Sequence, residues 1–183
     1  MRLRGANAFM HERPNGDMLN AAMLFIDAQN IFHGAKAYGE DDYSYDPVKL
    51  KDKLGDDYYL VRSYFFDSYR PDDDSKENFF YALDMNGYRV IDVPLRQRDD
   101  GYIEKGVDIR LTTEFIAHAY SDSYQTALLA TGDDDYVRAV EHVQDAGKRV
   151  VIASWEDQIG RDMKRVCDEY VRLDDMATAI EKT

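Results

Sequence analysis

Five acidic residues stand where carboxylates do chemistry: Asp27, Asp108, Glu114, Asp133 and Asp135. Asp27 closes a short apolar run. Asp133 and Asp135 follow a second run that ends at Thr131-Gly132. Asp108 opens a helical stretch after Lys105-Gly106-Val107, and Glu114 lies six residues further on. That spacing is roughly 600° of helix, so Glu114 shares a site with Asp108 only if the start of the helix points into it. Carboxylates crowded into one cleft repel each other, which raises their pKa values and costs stability. A divalent ion removes that cost. Mg²⁺ and Mn²⁺ prefer oxygen ligands and keep several waters, and an ion so held activates water and stabilises a phosphoryl transition state. The acids are therefore candidate metal ligands.

Each has an ordinary structural role to set beside that one. Asp27 at a strand end can cap the next helix, and one of Asp133, Asp134 and Asp135 is expected to cap whatever follows. Asp134 reads as solvent-facing, Glu114 alone as a solvated helix face, and the run Asp72-Asp73-Asp74 as an exposed helix start. Asn30 sits one turn after Asp27 on the same face, placed to bind a phosphate or orient an acid. Arg98, after a strand, and Lys105, before Asp108, are the basic residues best placed to meet a nucleic-acid backbone. Tyr102 or Tyr136 can stack on a base, although packing is the plainer use of both. His33 reads as a surface or packing residue, and His118 and His142 have no partner at ligand spacing.

The elements that must position these residues alternate between strand and helix. Strands are expected at 22–27, 58–66, 88–95, 126–131, 149–154 and 170–173. Helices are expected at 28–38, from Asp46-Pro47 to about Leu54, at 72–86, 107–120, 133–146 and 159–169. Residues 96–101 read as a charged turn. This order implies βαβ units on a mainly parallel sheet in three layers, and such sheets bind ligands at the carboxyl ends of their strands, near the switch point. The 183 residues suggest one domain over 21–183, preceded by a loosely ordered segment over 1–20. The single cysteine, Cys167, excludes an internal disulfide and a cysteine zinc cage, and fits a reducing compartment. No run is apolar for long enough to span a membrane, and a cytoplasmic location is expected. The net charge of −13 argues against a high-affinity, sequence-independent nucleic-acid binder, but not against an enzyme whose acids are neutralised by metal.

Three segments in order resemble the NYN domain family, including the LabA-like proteins: Leu24-Phe25-Ile26-Asp27-Ala28-Gln29-Asn30, Lys105-Gly106-Val107-Asp108, and Thr131-Gly132-Asp133-Asp134-Asp135-Tyr136. Gly147 followed by Val150-Val151-Ile152 extends the likeness, which covers roughly residues 22–174. The resemblance implies a PIN-like, Rossmann-like α/β fold and metal-dependent nuclease activity on RNA. Asp27, Asp108, Asp133 and Asp135 would supply the Mg²⁺ or Mn²⁺ site, with Asn30 beside it. Glu114 stands where the family often has Asp. The expected partner is an RNA substrate and not a membrane, and a homodimer is left open. Two other functions fit the same residues. One is a non-catalytic module that binds RNA or protein. The other is a phosphatase with Asp27 as nucleophile, disfavoured because Gln29 stands where that chemistry wants a second Asp.

Overall fold

The computed structural model describes residues 10–13, 16, 18–39, 42–71, 73–98, 101–103 and 106–183. Among them, seven strands form one sheet: β1 (Met10–Glu12), β2 (Met18–Asp27), β3 (Tyr58–Tyr69), β4 (Tyr88–Pro94), β7 (Thr126–Ala130), β8 (Arg149–Ser154) and β9 (Glu169–Arg172). A separate two-stranded hairpin pairs β5 (Arg96–Arg98) with β6 (Gly101–Ile103). The helices are α1 (Ala28–Tyr38), α2 (Pro47–Gly55), α3 (Asp74–Met85), α4 (Val107–Tyr120), α5 (Val137–Asp145), α6 (Arg161–Val166) and α7 (Ala177–Ile180).

The main sheet runs β4-β3-β2-β7-β8-β9, and every pairing along it is parallel. The chain first moves outward from β2 through β3 to β4, then returns to the other side of β2 for β7, β8 and β9. The switch point is thus the β2–β7 junction, where an open α/β sheet leaves a crevice at its carboxyl edge. Asp27 ends β2 and Thr131-Gly132 leaves β7 at this junction.

The central strands are buried on both faces, as parallel strands under two helical layers must be. Along β2, Leu24 and Ile26 join a core with Ile31, Leu50, Leu83 and Ile180, which belong to α1, α2, α3 and α7. Met23 and Phe25 point the other way and pack with Leu111, Phe115, Val140 and Met163, from α4, α5 and α6. The alternation makes three layers, so the mainly parallel α/β architecture expected from the sequence is observed.

Several boundaries and small elements differ from expectation. Met10–Glu12, inside the segment read as loosely ordered, pairs antiparallel with Met18–Asn20 because β2 extends beyond its parallel neighbour β7. The charged stretch after β4 is a hairpin and not a bare turn. The helix expected from Asp133 begins as a 3-10 turn over Asp134–Tyr136 before α5, and α6 is shorter than its apolar pattern suggested. After β9 a 3-10 turn (Leu173–Met176) leads into α7, which docks beneath α2, and the Asp46 N–H donates to the Ile180 carbonyl at 2.7 Å. No helix among the described residues is long and apolar enough to cross a membrane.

Candidate functional site

Asp27 is the centre of the site. It follows six buried residues of β2 and is itself only 6% exposed. Its extended backbone makes it the N-cap of α1, and Oδ1 accepts the Asn30 N–H at 3.2 Å. Oδ2 accepts from Thr131 Oγ1 at 3.2 Å and from the Tyr136 hydroxyl at 3.4 Å. Burial raises the carboxyl to about 6. The hydrogen bonds from Asn30 and Thr131 oppose this shift, and the charges of Asp108 and Asp133 add to it.

Tyr136 ties two of the acids together. Its hydroxyl lies 3.1 Å from Asp108 Oδ1 as well as 3.4 Å from Asp27 Oδ2. One phenolic proton therefore faces two carboxylates, and burial together with these charges drives the tyrosine's own pKa far up. From its sequence position Tyr136 is expected to pack or to stack on a base. It does pack, 2% exposed within the core, and its hydroxyl also bridges the two acids. Its position one residue after Asp135 carried no signal of that role.

The loop after β7 is held by backbone contacts. The Gly132 N–H donates to Asn30 Oδ1 at 2.9 Å, so Asn30 fixes the loop to α1. A Cβ on Gly132 would meet the Gln158 carbonyl oxygen at 2.4 Å, so this close approach requires glycine. Asp133 caps the 3-10 turn, its Oδ1 accepting the Asp135 N–H at 2.9 Å. Asp133 and Asp135 are both exposed. Asp134 is exposed, as expected, and its carboxylate also accepts the Met163 N–H at 2.7 Å, serving the first turn of α6.

Asp108 enters from the first turn of α4, whose N-cap Gly106 has a φ of 103°, a conformation that favours glycine. Glu114 is not brought to this group. Two turns along α4, roughly 9 Å further by helical rise, it meets His118 Nε2 at 3.3 Å, and that imidazole also contacts the Tyr64 hydroxyl at 2.7 Å. Placing Glu114 among the ligands is therefore corrected: it faces the middle of the sheet, because six residues of rise carry it away from the carboxyl edge. Burial also lowers the pKa of His118 against the pull of Glu114. Lys105 lies outside the described residues. Arg98 ends β5, within the hairpin between β4 and α4. Tyr102, the other stacking candidate, has the Arg70 guanidinium 5.3 Å over its ring.

Among the described residues, no three His, Cys, Asp or Glu side chains converge as ligands of one ion would. Asp27 and Asp108 face the Tyr136 hydroxyl, and Asp133 faces the backbone. What the fold assembles is a shared field of acids at the carboxyl ends of β2 and β7, with Asn30, Thr131 and Tyr136 fixing their positions.

A sequence model of the NYN domain matches residues 21–174. The chain belongs to the NYN domain family. It is 25% identical over 168 residues to the low amplitude and bright protein LabA of Synechococcus elongatus, covering 87% of each chain. The fold is also similar to a crystal structure of a protein of unknown function from Vibrio parahaemolyticus, with a TM-score of 0.75 and 19% identity over 90% of this chain and 97% of that one. Both the family match and this neighbour agree with a mainly parallel sheet between two helical layers.

Proposed function

We propose that this NYN domain is a metal-dependent phosphodiester hydrolase acting on RNA. The observation that carries the reading is Asp27. A carboxyl buried at the switch point, held at about 6 and surrounded by the charges of Asp108 and Asp133, is a group whose cost a cation would remove. Membership of the family, in which nucleases are usual, supports the same reading.

Asp27, Asp108 and Asp133 are the residues that would hold Mg²⁺ or Mn²⁺, with Asp135 on the adjoining turn as a further candidate. Their donors are all oxygen, which suits either ion. When bound, such an ion supplies an activated water and offsets charge on the phosphoryl group. The chain's own part is positional. Asn30 holds the Gly132 loop against α1, Thr131 orients Asp27, and the Tyr136 hydroxyl keeps Asp27 and Asp108 in register. Lys105 and Arg98 are the proposed partners of substrate phosphates.

The test is cleavage of end-labelled single-stranded RNA with Mn²⁺ and then with chelator, by the native chain and by Asp27→Asn. Metal-dependent cleavage lost in the variant supports the assignment, and full activity in a folded Asp27→Asn protein refutes it. A second reading, a non-catalytic module that binds RNA or protein, is favoured by one observation: the carboxylates do not converge as three ligands. RNA binding without cleavage in the same assay would select it.

A further inference from the structure

Across the sheet from Asp27 the structure holds a cavity of about 350 Å³. It lies between α1, α2, α3 and the end of β3, on the face opposite Tyr136. Phe65, Phe79 and Tyr45 give it aromatic walls, and Gln29, Asp67 and Lys76 give it a polar end. This is the usual make-up of a small-ligand site: concave, mostly apolar, with a few fixed polar groups. Its volume is near the lower end of the range for such sites, which suits a ligand of about nucleoside size.

The polar end is already organised. Asp67, 2% exposed, lies 2.6 Å from the Lys76 ammonium through Oδ2, and through Oδ1 it accepts the Gln29 Nε2–H at 2.6 Å and the Ser68 N–H at 2.8 Å. The lining carries two lysines, Lys76 and Lys182, and two aspartates, Asp46 and Asp67, so its formal charges cancel, which disfavours a phosphate or carboxylate and favours a neutral ligand. Gln29 gives one N–H to Asp67. An amide has a second N–H and an acceptor oxygen, a donor–acceptor pair suited to the edge of a heterocycle. Gln29 is also two residues from Asp27, so the cavity and the carboxylate group meet at the first turn of α1.

We infer that this cavity takes one nucleobase, stacked on its aromatic walls and read at its edge by Gln29 and the Asp67–Lys76 pair. Unstacked bases of single-stranded RNA are recognised by such aromatic faces and edge contacts. The inference rests on the nuclease reading only for the source of the base, which is either a base of the RNA strand engaged at Asp27 or a free nucleoside.

The experiment is an amide-resolved NMR titration of the full chain in chelator, with each of the four ribonucleosides and with a short single-stranded RNA. Ala82, an exposed residue on the cavity wall, permits a filling variant, Ala82→Trp, that leaves the core untouched. A saturable response at Gln29, Lys76 and Phe79, weakened at least tenfold by Ala82→Trp, is expected. A response to nucleosides identifies a free-base site, and a response to the strand alone identifies a substrate subsite. No response at these residues to any probe, or an equal response in Ala82→Trp, overturns the inference. If base binding persists while the native chain never cleaves RNA, the nuclease reading fails and the cavity assignment stands.

Discussion

Two buried aspartates close neighbouring parallel strands, and the sheet separates them. Asp67, near the end of β3, points toward α1 and α3 and meets a lysine at 2.6 Å. Asp27, at the end of β2, points toward the 3-10 turn before α5 and meets the charges of other acids, with no cation paired to it among the described residues. The residue type, the strand-end position and the depth of burial are shared. Only the partners differ, and the partners decide what each can do. A carboxylate with its own ammonium completes a structural pair. One raised to about 6 among like charges keeps an unmet demand for positive charge. That contrast is why the proposed cation site lies at the β2–β7 junction.

The contrast can be broken first at Asp27. Asp27→Asn is expected to lower Mn²⁺-dependent RNA cleavage by roughly 10²–10⁴-fold, the equivalent of losing several kcal/mol of metal-borne transition-state stabilisation. Circular dichroism of the variant should match that of the native chain, because Asn is also a good N-cap for α1.

The partner of Asp67 gives the next largest effect. Lys76→Met leaves a carboxylate buried without its cation and should cost roughly 3 kcal/mol of stability in urea unfolding at pH 7. A loss under 1 kcal/mol would mean that water reaches Asp67 and the two aspartates are less alike than their burial suggests.

The opposite sign is expected for Asp27→Asn in metal-free buffer. The folded carboxyl holds its proton up to about pH 6, whereas the unfolded chain releases it near 3.8. The native state therefore binds more protons in this window, and the associated stability is complete below about pH 4 and lost as the pH rises through 6. Asn carries no such charge, so the variant should be more stable than the native chain by roughly 2 kcal/mol at pH 7, with the gap closing toward pH 4. A variant less stable at pH 7 would show that Asp27 is not electrostatically burdened.

The smallest change is Tyr136→Phe. Losing the hydroxyl between Asp27 and Asp108 should cost about 1 kcal/mol in unfolding, and Mn²⁺ affinity measured by calorimetry should shift because the two acids lose their common partner. Unchanged affinity would restrict Tyr136 to packing.

Much of the frame was legible in the sequence. Helices α1 and α4 and strand β8 have the bounds their patterns implied, because apolar periodicity, an acid at a strand end and a glycine after a helix are local signals. Asp27 and Asp108 could be found in the same way, and the Tyr136 bridge joins them. Asp133 was also legible, and its charge reaches Asp27. The hairpin of β5 and β6, strand β1 and the closing turn of α7 were missed, since each is stabilised by pairing with a distant segment and not by its own pattern.

The sequence by itself determined the kind of sheet, the acids at its carboxyl edge and the family. The tertiary structure alone decided which acids share a field. Helical rise carried Glu114 to His118, the pleat turned Asp67 to the face opposite Asp27, and α3 brought Lys76 to Asp67. Side-chain type and spacing fix where a residue sits along its own element. The charge it feels depends on what the neighbouring strand and helix place beside it, and that is settled only when the layers pack.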